Sequence, residues 1–110
     1  MDDDYQDMVL DVVAAVPAGR VTTYGLVAEV VADRLAAAGL TVRGGPRQVG
    51  QVMSRCGGGV PWWRVVDASG RPPAAHAGRA LGHLRAEGTP LDRAGTAVVV
   101  SRAVWWPEGS

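Results

Sequence analysis

The sequence predicts a mainly α-helical domain with a small β element, and three observations carry that expectation. Apolar residues recur at helical spacing in the first third of the chain. Capping and turn residues stand where those patterns begin and stop. The clearest β-like run, Val65-Val66, is short and leads straight into the turn residues Asp67-Ala68-Ser69-Gly70-Arg71. The 110 residues suffice for one small domain with one core, and 47 % apolar content is enough to pack it. Phe is absent, so that core is built mostly from Val, Ala and Leu.

Tyr5, Met8, Val9, Val12, Val13 and Val16 predict a first helix from about residue 4 to residue 15, ended by Pro17-Ala18-Gly19. Val21 opens a short connection, and Thr22 or Thr23 can cap a second helix. That helix runs from Tyr24 to about Ala38, with Leu26, Val27, Val30, Val31 and Leu35 inward and Gly39 as its stop. Thr41 to Gly45 form a loop. Pro46 suits the first position of a third helix, because its missing N–H would be unpaired there anyway. This helix, Pro46 to Arg55, turns Val49, Val52 and Met53 inward and Arg47, Gln48, Gln51, Ser54 and Arg55 outward. Gly57-Gly58-Gly59 is a flexible break. A last helix spans about Ala77 to Glu87, stopped by Gly88; Val98-Val99-Val100 fits either a strand or the start of a packed C-terminal segment. Two helices, a short polar-faced helix and a small β-wing make the outline of a single winged helix-turn-helix domain over residues 1–110, with residues 1–4 and 108–110 expected to be flexible.

Net charge is zero, which by itself argues weakly against a nucleic-acid partner. Its distribution argues the other way. Residues 1–11 carry five Asp and no base, whereas residues 43–102 carry nine Arg against Asp67, Glu87 and Asp92, a net of +6. Lys is absent; a GC-rich genome accounts for that, and Arg also binds phosphate bidentately and stacks on bases. No apolar run is long enough for a membrane span and no signal peptide opens the chain, so a cytoplasmic protein with no membrane partner is expected. The lone Cys56 excludes an internal disulfide, and with two His it gives no metal-ligand spacing; no cofactor is expected.

Residues 61–66, Pro-Trp-Trp-Arg-Val-Val, resemble the Pro-Cys-His-Arg-Val signature of the DNA alkyltransferases that repair alkylated guanine. Other blocks follow the same family in order. Gly19 to Gly25 resembles its helix-turn-helix entry, and Arg47-Gln48-Val49-Gly50 the start of its recognition helix. Leu84 to Gly88 resembles the helix end with the supporting glutamate, and Trp106-Pro107 the closing segment. In that family the cysteine takes the alkyl group and the histidine helps to deprotonate it. Here both positions are Trp, and indole offers neither a nucleophile nor a base, only an N–H donor. The combination resembles the alkyltransferase-like proteins, which bind the lesion without repairing it and lack the separate N-terminal domain. No catalytic residue is therefore expected.

The resemblance implies roles. A lesion on the guanine oxygen is hidden in the base stack, so the nucleotide must be rotated out. Tyr24 is implied to crowd the target phosphate and drive rotation. Arg47 is implied to enter through the minor groove and fill the vacated place; most helix-turn-helix proteins use the major groove instead. The DNA-contacting set is then Thr23, Tyr24, Gly45, Pro46, Arg47, Gln48 and Gln51. The lesion pocket is Tyr24, Pro61, Trp62, Trp63, Val65, Ser69 and Gly70, with Trp62 as an aromatic wall and Ser69-Gly70 as a lid offering backbone donors. Trp63 either closes the pocket or packs inside. Arg71 to His76 departs from the family's pattern: His76 or Arg79 supplies a cation or donor there, or the stretch is a plain surface loop. Glu87 holds an ion pair or a helix end, and His83 is read as a solvent-side residue.

These readings give a non-enzymatic DNA-damage sensor, a monomer that binds and flips O6-alkylguanine in double-stranded DNA. The resemblance implies hand-off to nucleotide-excision repair proteins. The main alternative is a general winged-helix DNA-binding or regulatory module without lesion preference. Residual alkyl transfer to Cys56, hydrolysis assisted by Glu87, and a degenerate protein-binding domain are the further rivals.

Overall fold

Val9 follows Tyr5 by four residues, and Val12 and Val13 follow Val9 by three and four, so a helix brings them onto one face, and that face is buried in α1 (Asp3–Ala14). Asp3, Asp4, Asp7 and Asp11 are exposed on the same helix, and the first two sit in the opening turn where the helix dipole favours negative charge. The computed structural model describes residues 3–107. Of the residues expected to be flexible, Asp3 and Asp4 form the first turn of α1, while 1–2 and 108–110 lie outside the described residues.

Val21 and Thr22-Thr23 are extended. Thr22-Thr23 forms β1 and pairs in parallel with β2 (Val65–Val66), in the register Thr22 to Val65 and Thr23 to Val66. Val21 makes a further parallel bridge to Val104. The β element is therefore a two-stranded parallel sheet joining distant parts of the chain, rather than a strand and turn standing alone. The reason lies in β2 itself, whose two valines are both fully buried and need cover on both faces. Val65 belongs to a core with α1, α2 and α3, and Val66 to a second core with Val21, Leu84, Val98 and Ala103.

α2 (Tyr24–Ala37) begins where the Thr23 hydroxyl accepts from the Leu26 N–H at 3.1 Å. It ends in a Schellman arrangement: the Gly39 N–H donates to Ala36 and the Leu40 N–H to Leu35. α3 (Pro46–Cys56) has Pro in its first turn and runs one residue beyond the expected Arg55. Gly44, in the loop before it, has φ +83°, and a Cβ there would lie 2.4 Å from the Tyr5 ring, so this glycine lets the α2–α3 loop close onto α1. Gly57–Gly59 is a 3-10 turn rather than a loose break, with Gly57 buried. A second such turn, Trp62–Arg64, leads into β2, and a third, Ala74–His76, into α4 (Ala77–Ala86). Val98 bridges Leu91 and donates its N–H to the Gly70 carbonyl, and Val100 opens the short α5 (Val100–Ala103), which resolves the C-terminal ambiguity as a packed segment. Arg20 fastens it by donating to the carbonyls of Ala103 and Val104. Among the described residues no helix is long and apolar enough to cross a membrane.

Candidate nucleic-acid interface

α3 presents two different faces. Val49 and Val52 are buried, while Arg47, Gln48, Gln51, Ser54 and Arg55 are exposed. Its N-cap is Gly45, extended and without a side-chain capping bond. The first N–H groups of the helix, from Arg47 and Gln48, are thereby left to an outside acceptor, the usual arrangement for phosphate at a helix start. Gly45, Pro46, Arg47, Gln48 and Gln51 thus share one accessible end of the helix. Thr23 does not join them: it is only 9 % exposed and its hydroxyl oxygen accepts the α2 cap bond. Its place is structural, fixing where Tyr24 begins.

Beside α3 lies a cleft of about 410 Å³, lined by Tyr24, Gly50, Met53, Ser54, Gly57, Gly58, Trp62, Pro73, Ala75, His76 and Arg79. Its size suits a flat, base-sized ligand. Tyr24 and Trp62, both expected in a lesion pocket, meet here. The Tyr24 hydroxyl is pushed up from its ordinary pKa by burial, with the negative charge of Asp67 acting the same way. It remains a neutral phenol at physiological pH, able to donate a hydrogen bond.

The other five expected pocket residues lie elsewhere. Val65 is wholly buried in β2, and Pro61 starts the Trp62–Arg64 turn. Ser69 and Gly70 do not offer lid donors. The Ser69 N–H and hydroxyl both donate to Asp67 Oδ1, at 2.9 and 2.7 Å, and the Gly70 N–H donates to the Asp67 carbonyl. Gly70 has φ +88°, and a Cβ there would lie 2.0 Å from the Val98 carbonyl oxygen, so it serves the packing of the C-terminal segment. The Ser69 bond, with the N–H groups of Arg71 and Ser69, holds the Asp67 carboxyl below its usual range against a smaller opposing effect of burial.

Trp63 neither lines nor plugs the cleft. Its indole N–H donates to Glu87 Oε1 at 2.6 Å, and its ring stacks on His83 at 4.0 Å and 14°. Arg64 completes the knot: its Nε donates to both Glu87 oxygens, its Nη2 to Oε2, and its Nη1 to the Val16 carbonyl at 2.8 Å. Burial pushes the Glu87 carboxyl up, but the bonds from Arg64 and Trp63 and the charges of Arg64 and His83 outweigh it and hold the carboxyl below its ordinary value. Glu87 thus holds an ion pair, as its sequence position suggests.

His83 is exposed, as read, yet it is also a stacking partner that the sequence reading missed. The signal was present. Arg79, His83 and Glu87 are four residues apart and share one stripe at α4 and its C-cap. In order, they meet the Trp62 ring, the Trp63 ring, and the Trp63 N–H with Arg64. The lining by Met53, Ser54, Gly57 and Gly58 was also missed, because it forms only where the end of α3 runs into the following 3-10 turn. Cys56, half-buried as the last residue of α3, is not among the lining residues. Among the described residues no cluster of His, Cys, Asp or Glu could hold a metal ion.

Residues 4–89 match the family described as the DNA-binding domain of 6-O-methylguanine DNA methyltransferase. The chain belongs to this family. It is similar to the DNA base-flipping proteins of Escherichia coli (strain K12) and Shigella flexneri, each 41 % identical over 71 residues, which are 63 % of this chain and 48 % of theirs. The chain therefore spans about half the length of the curated relatives it matches. Among solved structures it is similar to S. pombe Atl1 in complex with damaged DNA containing O6-carboxymethylguanine, with TM-score 0.73, 28 % identity, and coverage of 97 % of this chain and 99 % of that one. S. pombe ATL in complex with DNA matches with TM-score 0.72 at the same identity and coverage.

Proposed function

We propose that this protein is a non-enzymatic sensor of O6-alkylguanine in duplex DNA, which rotates the lesion out of the stack and holds it in the cleft without taking the alkyl group. One observation carries the reading. A tryptophan stands where the family's acceptor cysteine is expected, and its ring walls a base-sized cleft beside the exposed start of α3. The neighbouring Trp63 spends its only N–H on Glu87, so the site holds a wall and a brace in place of a nucleophile and a base. The relatives named as DNA base-flipping proteins, and the Atl1 complex with damaged DNA, support the same reading.

In this proposal Tyr24 crowds the target phosphate and Arg47 enters the minor groove to occupy the vacated stack. Gly45, Pro46, Gln48 and Gln51 seat the end of α3 on the backbone. Trp62 packs against the flipped base, and base–aromatic stacking supplies ~1–3 kcal/mol. The protein acts as a monomer in the cytoplasm and leaves a marked complex for nucleotide-excision repair proteins.

The test is a titration of matched duplexes, one with a single O6-methylguanine and one with guanine, at fixed salt. A flipped guanine would stack on Trp62 as well, so the expected preference of roughly 10-fold to 100-fold for the lesion rests on the lower cost of unpairing the damaged base. Equal affinity would return the protein to a general DNA-binding module. Arg47→Ala should weaken the lesion complex, and unchanged affinity would remove Arg47 from its role.

A further inference from the structure

The cleft contains a cation that no carboxylate among the described residues neutralises. Arg79 lies on α4 with its guanidinium carbon 5.4 Å from the centre of the Trp62 ring, and it lines the cleft together with His76, whose ring centre is 5.8 Å from that of Trp62. Arg79 is exposed, and among the described residues no carboxylate pairs with it. Arg64 makes the contrast. It lies equally close, 5.4 Å, to the Trp63 ring, but its fork is spent on Glu87 and the Val16 carbonyl.

The cleft lining contains no Asp or Glu. Its polar side chains are those of Tyr24, Ser54, His76 and Arg79, all able to donate hydrogen bonds. Asp67, near enough to act on Tyr24, is outside the lining, and its Oδ1 already accepts from the Ser69 N–H, the Ser69 hydroxyl and the Arg71 N–H. A neutral alkyl adduct would pack on Trp62 and Met53 and leave the guanidinium to water. A short adduct ending in a carboxylate would meet a planar fork of matching geometry, and such charge-assisted bonds are about twice as strong as neutral ones. DNA phosphate is the other anion within reach. The position of Arg79 against the Trp62 wall, apart from Arg47 and Arg55 on α3, favours the adduct.

Resting on the proposed lesion-holding role of this cleft, we infer that Arg79, with His76 as a second donor, makes the protein selective for guanine O6-adducts that end in an anionic group over neutral adducts of equal size. The test compares duplexes of one sequence carrying O6-carboxymethylguanine, its neutral isostere O6-carbamoylmethylguanine, O6-methylguanine, or guanine, at fixed salt. The wild type should bind the carboxymethyl duplex on the order of 10-fold more tightly than the carbamoylmethyl duplex. Arg79→Gln should bring that ratio to near one, and Arg79→Lys, which keeps the charge, should retain most of it. A wild-type ratio near one overturns the inference. So does an Arg79→Gln variant that weakens every duplex alike, which would make Arg79 a phosphate contact. If O6-methylguanine is still distinguished from guanine in either case, the lesion-holding role stands and only the charge selectivity fails. If neither comparison shows a preference, both readings fail.

Discussion

Replacing Glu87 with alanine should destabilise the protein by about 2–4 kcal/mol. The residue accepts the Trp63 N–H and three bonds from Arg64, and the paired side chains are only 16 % and 14 % exposed. Losing an acceptor for charged donors costs ~1.5–3 kcal/mol, and a largely buried arginine left without its carboxylate adds desolvation cost. The Val16 carbonyl still accepts from Arg64, which keeps the loss below that of a fully orphaned charge. A domain of this size carries ~5–15 kcal/mol of stability, so the variant should still fold. Urea denaturation followed by tryptophan fluorescence measures the change, and with a slope of ~1–3 kcal/mol per molar the midpoint should fall by roughly 1–2 M. The carboxyl is held below its ordinary value of 4.5, so it is the unfolded chain that binds the proton first as pH falls. Its stabilising contribution is fully present above pH 4.5 and is lost as pH drops from there through the lower folded value. Glu87→Gln should therefore flatten the acid limb of the stability curve. A midpoint shift in Glu87→Ala worth less than about 0.5 kcal/mol would show the ion pair to be an ordinary solvated bridge, and the account of the Trp63–Arg64–Glu87 knot would be wrong.

Gly70→Ala places a Cβ 2.0 Å from the Val98 carbonyl oxygen at φ +88° and should cost more than about 2 kcal/mol. Gly82→Ala, inside α4 with nothing within 4 Å of the new Cβ, should instead stabilise by ~0.5–1 kcal/mol, and thermal melts of the two variants should move in opposite directions. Thr23→Ala removes the α2 cap and should cost ~1 kcal/mol in denaturant titration. Trp62→Cys should not create an alkyltransferase, because Trp63 stands where the resemblance implies the family's histidine and its only N–H is committed to Glu87; intact-protein mass after incubation with O6-methylguanine DNA should show no added methyl group, and efficient transfer would refute the description of the site.

Some of this protein follows from local chemistry and is legible in the chain. The 3-to-4 spacing of Tyr5, Val9, Val12 and Val13 needs only helical geometry, as do the Thr23 cap, the Gly39 stop and Pro46 at the start of α3. Pro61 to Val66 likewise carries its resemblance to the family's active-site block, with Trp at two of its positions, in residue identity alone. Tertiary structure decided what depends on residues far apart. Val65 and Val66 pair with Thr22 and Thr23 because two buried faces demanded cover, which no local pattern around β2 specifies. Ser69 and Gly70 left the pocket because Asp67 and the C-terminal Val98 claimed their polar groups and space. Trp63 turned away from the cleft because Glu87, 24 residues later, offered its N–H a charged acceptor. The Arg79–His83–Glu87 stripe is visible as a spacing, but only the packing of α4 against the Trp62–Arg64 turn shows that it faces the two tryptophans. Helix periodicity and caps are set by neighbours within one or two turns, whereas the walls of the cleft belong to elements that meet only when the cores close.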